Sequence, residues 1–223
     1  MGREAWPADL TLVRSPRKTI SLHVSRGDIL VRAPLRTPQS HILALIQHRL
    51  DWARERRHRY VAPAAISPNM PLLWHGETRV LGTPDCPFSA VPGPRVRDPR
   101  AWIRRQLINQ YRTRALDYFN DRSAYWASQL GVQIGQVSVR DYRGRWGSCS
   151  HRGDLAFNWR LMMAPPAVAD YVCVHEVCHR LHMNHSAAFW AAVSSLCPDW
   201  KQHRHWLHEH GSSLMDALPK TNE

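Results

Sequence analysis

The chain has 223 residues, 43% of them apolar and 22% charged, with a formal net charge of +12 and a sequence pI near 10.3. That length can bury a substantial core, and the composition is that of an ordinary folded domain rather than a disordered or collagenous chain. No run approaches the roughly 18 apolar residues needed to cross a bilayer. The opening residues Met1-Gly2-Arg3-Glu4-Ala5-Trp6-Pro7 lack the apolar stretch of a secretory signal. The expectation is a cytoplasmic protein with no membrane partner. Five cysteines without paired spacing fit reduced thiols better than a disulfide framework.

Charge is unevenly placed. Residues 1–130 hold 21 Lys+Arg against 10 Asp+Glu, whereas residues 131–223 hold 9 against 8. Attraction to nucleic acid or another polyanion would therefore reside in the basic N-terminal half. Arginine supplies nearly all of this charge, since Lys18, Lys201 and Lys220 are the only lysines, and a solvated basic surface is the simpler reading.

In chain order, Leu10–Arg14 and Thr19–Val24 read as strands. In the second, Ile20, Leu22 and Val24 alternate with polar residues. Arg26-Gly27-Asp28 turns the chain into a returning strand over Ile29–Arg32. Thr37 and Pro38 open a helix as N-cap and first helical residue, with Ile42, Leu45, Ile46, Arg49, Leu50 and Ala53 on one face. Arg54, Arg56, Arg57 and Arg59 close it, suited to the negative end of the helix dipole. Eight prolines, Pro63 among them, punctuate residues 61–99. Only Leu72–Trp74 and Thr78–Leu81 suggest regular structure there, as a hairpin. A long helix is expected over about 100–129, ended by Gly131. Val137–Asp141 reads as a strand, and Trp146–Ser150 with Leu155–Leu161 as a hairpin. Pro165-Pro166 starts a helix to about Met183, Ser186 caps another to about Leu196, and a last helix covers about Lys201–His210.

The chemistry concentrates in the helix after Pro165-Pro166. His175 and His179 lie four residues apart, about 40° around the axis and one turn along it, so their imidazoles can converge on one ion. Glu176 points about 100° away and serves better as a proton carrier than as a ligand. His175-Glu176-Val177-Cys178-His179 is thus an HExxH zinc-hydrolase arrangement. A third ligand is required. His185 is favoured, swung back by a left-handed turn at Asn184. Its rival, His182, shares the helical face but lies about 10.5 Å of helical rise from His175. Cys178 and Leu181 fall on the core stripe with Tyr171 and Val174. The late histidines His203, His205, His208 and His210 read as a solvated helix rather than a second metal site.

These residues resemble the YgjP-like metallopeptidase family, relatives of the SprT-like and WLM zinc proteases. The resemblance runs through Arg17–Leu50 and most strongly through Arg145–His210. It is carried by Arg145-Trp146-Gly147-Ser148-Cys149-Ser150, Phe157-Asn158-Trp159-Arg160-Leu161, Ala164-Pro165-Pro166, the HEVCH segment, Asn184-His185-Ser186, Phe189-Trp190 and Trp206-Leu207-His208-Glu209-His210-Gly211. It implies one zinc per chain on His175, His179 and His185, with Glu176 as general base. The expected fold is α+β and zincin-like: a mostly antiparallel sheet packed on the HExxH helix, plus an N-terminal β-hairpin and helix. The parts would be residues 1–99 and 100–223, or one continuous domain. The expected activity is peptide-bond hydrolysis by a metallopeptidase acting on a peptide or protein. Arg143, Arg145 and Trp146 are the candidate substrate-binding residues, and the hairpin 146–161 offers an edge strand to an extended peptide. Some family members are described as metal-dependent UTP pyrophosphatases, which makes hydrolysis of a nucleoside triphosphate the alternative. A DNA-associated protease or nucleic-acid module is a weaker one. The oxyanion-stabilising group is left open among Arg140, Tyr142, Arg143 and Arg145.

Overall fold

The computed structural model describes residues 6–25, 27–58 and 65–218. Met1 to Ala5, Arg26, Arg59, Pro63 and Lys220, named above, lie outside them. The chain forms two compact units, residues 1–63 and 64–223.

The first unit is a three-stranded sheet under one helix. Strands β1 (Leu10–Ser15), β2 (Ser21–Ser25) and β3 (Asp28–Pro34) are ordered β1-β3-β2. β3 pairs antiparallel with β2 and parallel with β1. It takes the centre because Ile29, Val31 and Ala33 are its three fully apolar inward positions, all buried. Helix α1 (Gln39–His58) covers that face with Ile42, Ile46, Leu50 and Ala53. Leu45, expected on the same stripe, is half exposed. The arginine run at the end of α1 is largely engaged within the unit. Arg54 and Arg57 reach Asp9 at 2.9 and 3.5 Å, and Arg56 joins Arg49 over the Trp52 ring.

The second unit begins well before residue 100. The hairpin of β4 (Pro71–Trp74) and β5 (Glu77–Val80), with Phe88 and Ala90 beyond it, packs into the same core as everything downstream. His75 and Gly76 turn the hairpin at positive φ. Their backbone N–H groups donate to the carbonyls of Met162 and Met163, and a Cβ at Gly76 would meet the Pro165 ring at 2.9 Å. The expected boundary at 99/100 therefore falls inside this unit. The proline-rich segment contributes core residues rather than a linker.

Helix α2 (Pro99–Leu130) is capped by Asp98 and ended by left-handed Gly131. Its buried residues Ile103, Leu107, Tyr111, Ala115, Phe119, Ser123 and Ala127 recur every four positions. Such a stripe drifts about 40° per step, so it winds around the helix and meets different partners along its length. Near its middle, the Tyr111 hydroxyl donates to the Leu73 carbonyl. Further along, α2 holds helix α3 (Pro166–Cys178): Arg122 binds both carboxylate oxygens of Asp170, at 2.8 and 2.6 Å, and the Tyr118 hydroxyl donates to it at 2.8 Å.

Strands β6 (Val137–Arg140), β7 (Gly147–Cys149) and β8 (Leu155–Asn158) are ordered β6-β8-β7, leaving β7 at an edge. β8 pairs parallel with β6 and antiparallel with β7. The expected strand to Leu161 stops at Asn158, where the Asn158 side chain accepts from the Arg160 N–H and a 3-10 helix runs over Trp159–Met163. Among the described residues three of the five ladders are antiparallel, and the fold is α+β with the HExxH helix under the sheet. Helix α4 (Ala187–Leu196) starts at the expected Ser186 cap. Helix α5 (Trp200–Asp216) continues past Gly211 instead of ending at His210, because that glycine lets the helix approach the Trp146 indole.

Candidate metal centre

α3 is the most buried helix of the chain. From Val168 to Cys178 only Asp170 and His175 are not buried. It ends at Cys178, short of the expected Met183. Beyond that point no apolar face remains to be covered, since Leu181 is 49% and Met183 44% exposed. Leu181 thus leaves the core stripe assigned to it. The chain turns back through bonds from the N–H groups of Arg180, Leu181 and His182 to Val177 and Cys178. Asn184 is not left-handed, because His75 and Leu218 are the non-glycine residues with positive φ among those described. The reversal thus begins at His179, five residues earlier than expected.

This turn gathers three imidazoles. One nitrogen from each of His175, His179 and His185 lies within 4.8 Å of the others, and the Nε2 atoms of His175 and His185 are 3.0 Å apart. Tetrahedral zinc with bonds of about 2.0–2.1 Å needs donors separated by about 3.3 Å, so the cluster fits that ion. His179 Nδ1 pairs with the His182 carbonyl at 2.9 Å, which leaves Nε2 as its metal-facing nitrogen. His182 thus contributes its backbone. Burial, together with the charges of His179, His185 and Arg204, pushes His175 down to about 3. The imidazole is neutral, as a ligand must be.

Phe189 sits among the three rings. It stacks on His179 at 4.6 Å and meets His175 and His185 edge-on at 4.9 and 4.8 Å. Trp190 stands 5.7 Å from both His175 and His185. Neither has a role in a motif built on polar residues. The Ser186 cap was the available signal, since it places Phe189 and Trp190 in the first turn after His185.

Glu176 is 5% exposed and faces β7. A Cβ at Gly147 would lie 2.5 Å from Glu176 Oε1 and 2.7 Å from its Cγ, so only glycine there admits the carboxylate. Burial pushes Glu176 up to about 8, against the pull of Arg145. Of the candidate substrate residues, Arg145 is exposed and its charge reaches Glu176. Arg143 is exposed with its charge felt at Arg104. Trp146 is half-buried against Gly211 and the core. Arg140 is exposed, and Tyr142 is bonded to Ser148 at 3.1 Å. Asn158 organises the loop that carries them: its Nδ2 donates to the Tyr142 and Arg145 carbonyls, and its backbone N–H to that of Trp146. The histidines of α5 join no further metal cluster among the described residues.

A family model described as YgjP-like, metallopeptidase domain, matches residues 18–210. The chain belongs to the YgjP-like metallopeptidase family. No curated protein sequence matches it. A solved structure, the metallopeptidase zymogen of Pyrococcus abyssi abylysin, is similar at 19% identity and a TM-score of 0.38, over 41% of this chain and 93% of that one. Family membership and the three-nitrogen cluster together make this YgjP-like protein a zinc-dependent hydrolase of the metallopeptidase type.

Proposed function

We propose that His175, His179 and His185 hold one zinc ion and that Glu176 is the general base of peptide-bond hydrolysis. The observation that carries this reading is the convergence of three imidazoles beside a buried carboxylate that is not among them. Bound there with an open position, zinc supplies a Lewis acid that polarises a carbonyl and lowers the pKa of water. The Glu176 carboxylate accepts the proton of the attacking water and delivers it to the leaving amine. Burial raises the Glu176 pKa in the metal-free protein, and the positive charge of a bound zinc would pull it back toward the carboxylate form that a base requires. Arg145, whose charge reaches Glu176, is the residue we assign to orient the reacting carbonyl or the peptide beyond it. The free outer edge of β7 supports an extended peptide lying alongside Gly147–Cys149. Trp146, packed on Gly211, supports the wall behind it more than the substrate itself.

The substrate is a peptide or protein, and hydrolysis of a nucleoside triphosphate such as UTP is the reading to test against it. The first unit carries 12 Lys+Arg against 5 Asp+Glu over residues 1–63, which supports weak, salt-sensitive nucleic-acid contact as a secondary property. No helix among the described residues is long and apolar enough to cross a membrane. All five cysteines are unpaired, which supports a cytoplasmic placement.

The test compares zinc-loaded parent and Glu176→Gln on casein-like peptides and on UTP. Glu176→Gln should retain zinc and lose about 10²–10⁴-fold in kcat on peptides. His185→Ala should lose zinc and His182→Ala should keep it. Turnover of UTP but not peptide, or a Glu176→Gln form working at the parent rate, would overturn the assignment.

A further inference from the structure

Helices α4 and α5 bring one further charge to the histidine cluster. Trp190 stacks on Trp200 at 4.2 Å and 17°, and on His185 at 5.7 Å and 30°. The Arg204 guanidinium carbon lies 5.4 Å from the Trp190 ring. One indole thus links Arg204 to both His185 and His175. From the other side, Tyr171 of α3 stands 6.1 Å from the His175 ring and 6.3 Å from that of His203, the neighbour of Arg204 on α5. The Arg204 charge is felt at both His175 and Tyr171.

Several arginines of this unit use their donors on the protein. Arg122 holds Asp170, Arg160 holds Asp141, Arg180 binds the Gln133 and His151 carbonyls, and Arg114 binds that of Pro87. Arg204 is exposed and makes neither an ion pair nor a hydrogen bond among the described residues. Its position is set by the indole face, which restrains the guanidinium without consuming its N–H groups. A planar fork of free donors beside a hydrolytic site matches a carboxylate in shape and charge.

We propose that Arg204, seated on Trp190, is the anion-binding residue of a substrate subsite on the Trp190 side of the histidine cluster, where it takes a carboxylate carried by the peptide near its scissile bond. The proposal rests on the peptide-hydrolysis reading above. Two sources share this chemistry, an acidic side chain and the peptide's terminal carboxylate.

The experiment uses matched peptides that carry Glu, Gln or Lys at each position flanking the cleaved bond, and a free or an amidated C-terminus. Hydrolysis is measured with the zinc-loaded parent, Arg204→Gln, Arg204→Glu and, as a control on the exposed side of α2, Arg105→Gln. Calorimetric Kd values for the same peptides are measured on zinc-loaded Glu176→Gln and on the Glu176→Gln/Arg204→Gln double variant. The carboxylate peptide should be preferred roughly tenfold in kcat/KM and in Kd, the effect of one charge-assisted pair at a partly dehydrated site. Arg204→Gln should flatten that preference, and Arg105→Gln should leave it intact. Arg204→Glu should turn it toward Lys-containing peptides, a reversal that misfolding cannot produce. The peptide pair that shows the preference identifies the carboxylate's source. Equal handling of the pairs, a preference that survives Arg204→Gln, or failure to bind any peptide would overturn the subsite. If peptides bind with an Arg204-dependent preference yet the parent cleaves none, the subsite stands and the peptidase reading falls.

Discussion

Helix α3 and the two irregular segments that overhang it, residues 141–146 and 179–186, build the same site by different means. α3 is buried almost throughout from Val168 to Cys178 and is tied to α2 through Asp170, so His175 and Glu176 inherit their positions from the core. The overhanging segments have no core of their own. His185 is exposed and is placed by stacking on Trp190 and by an edge-on contact with Phe189. Arg145 is exposed and is placed by its carbonyl bond to Asn158. The proton carrier and the first ligand are therefore fixed by the buried helix, and His179 by its own burial just beyond the helix end, whereas the third ligand and Arg145 depend on a few side-chain contacts. Damage to the first kind should cost fold and chemistry, and damage to the second should cost affinity.

Phe189 of α4 contacts histidines from both regions, and its removal should have the largest effect. It is fully buried and touches all three imidazoles. Phe189→Ala should destabilise the protein by about 3–5 kcal/mol through lost burial and the cavity left behind. Thermal unfolding of the metal-free protein, where zinc cannot mask the loss, measures it. A change below about 1 kcal/mol would mean that the aromatic centre of the cluster is not a packed core.

Gly147→Ala attacks the rigid side at one contact. The new methyl would lie 2.5–2.8 Å from three atoms of the Glu176 side chain. Either the carboxylate or β7 must move. A displacement of about 1 Å at a reacting group costs about 10²-fold in rate, so kcat should fall by that order while zinc affinity, which Glu176 does not supply, stays near the parent value. Parallel loss of zinc would show that β7 positions the ligands as well.

How much of this was legible in the sequence divides along the same line. The alternation in β2, the proline-started α3, the Ser186 cap and the histidine pair on one helical face are local signals, and each appears in the structure close to its expected place. The cluster of His175, His179 and His185 was legible because the i, i+4 spacing fixes two donors and leaves few histidines to complete the set. What was not legible depended on contacts distant in sequence. The end of α3 at Cys178 follows from the absence of a neighbour to cover Leu181 and Met183. The continuation of α5 past Gly211 follows from the approach of Trp146. The early start of the second unit follows from the packing of Phe88 and Ala90 into a core built mostly of later residues. Gly147 is legible as a requirement only once Glu176 is seen against it.

On the less supported side, Trp190→Leu should weaken zinc binding by roughly tenfold, the lower end of the effect of removing a group that orients a metal ligand. His185 would keep its place in the turn but lose the ring beside it. Trp190→Phe, which preserves a flat face, should recover most of the loss. Competition with a chelator of known affinity reads both. Equal affinity for parent and Trp190→Leu would show that Phe189 alone places His185.

The smallest expected effect concerns the anchor of the 141–146 loop. Asp141 binds the buried guanidinium of Arg160, whose central carbon lies over the Trp159 ring at 4.2 Å. Partial burial alone would raise the Asp141 carboxyl, but the Arg160 hydrogen bond and charge outweigh it, and the group sits below its ordinary value of 3.8. A carboxyl whose folded pKa is depressed binds its proton more readily in the unfolded chain. Its contribution to stability is therefore complete above the unfolded value and fades as pH falls through the folded one. Because the Asp141 side chain is about half exposed, solvent screening limits that contribution to about 0.5–1 kcal/mol. Asp141→Asn should accordingly unfold at a lower temperature than the parent between about pH 5 and 7, and the gap should close as pH drops below about 4. The substituted amide would leave Arg160 with a neutral acceptor at the base of the loop, so the carbonyl of Arg145 would still be held by Asn158 while the strand before it loosens. If Arg145 binds substrate as proposed, the expected kinetic consequence is a modest rise in KM with kcat little changed, because Glu176 is carried by α3 and not by this loop. A fall in kcat of the size expected for Gly147→Ala would place the loop among the elements that hold the proton carrier, and the contrast between packed helix and overhanging loop would then end at residue 179.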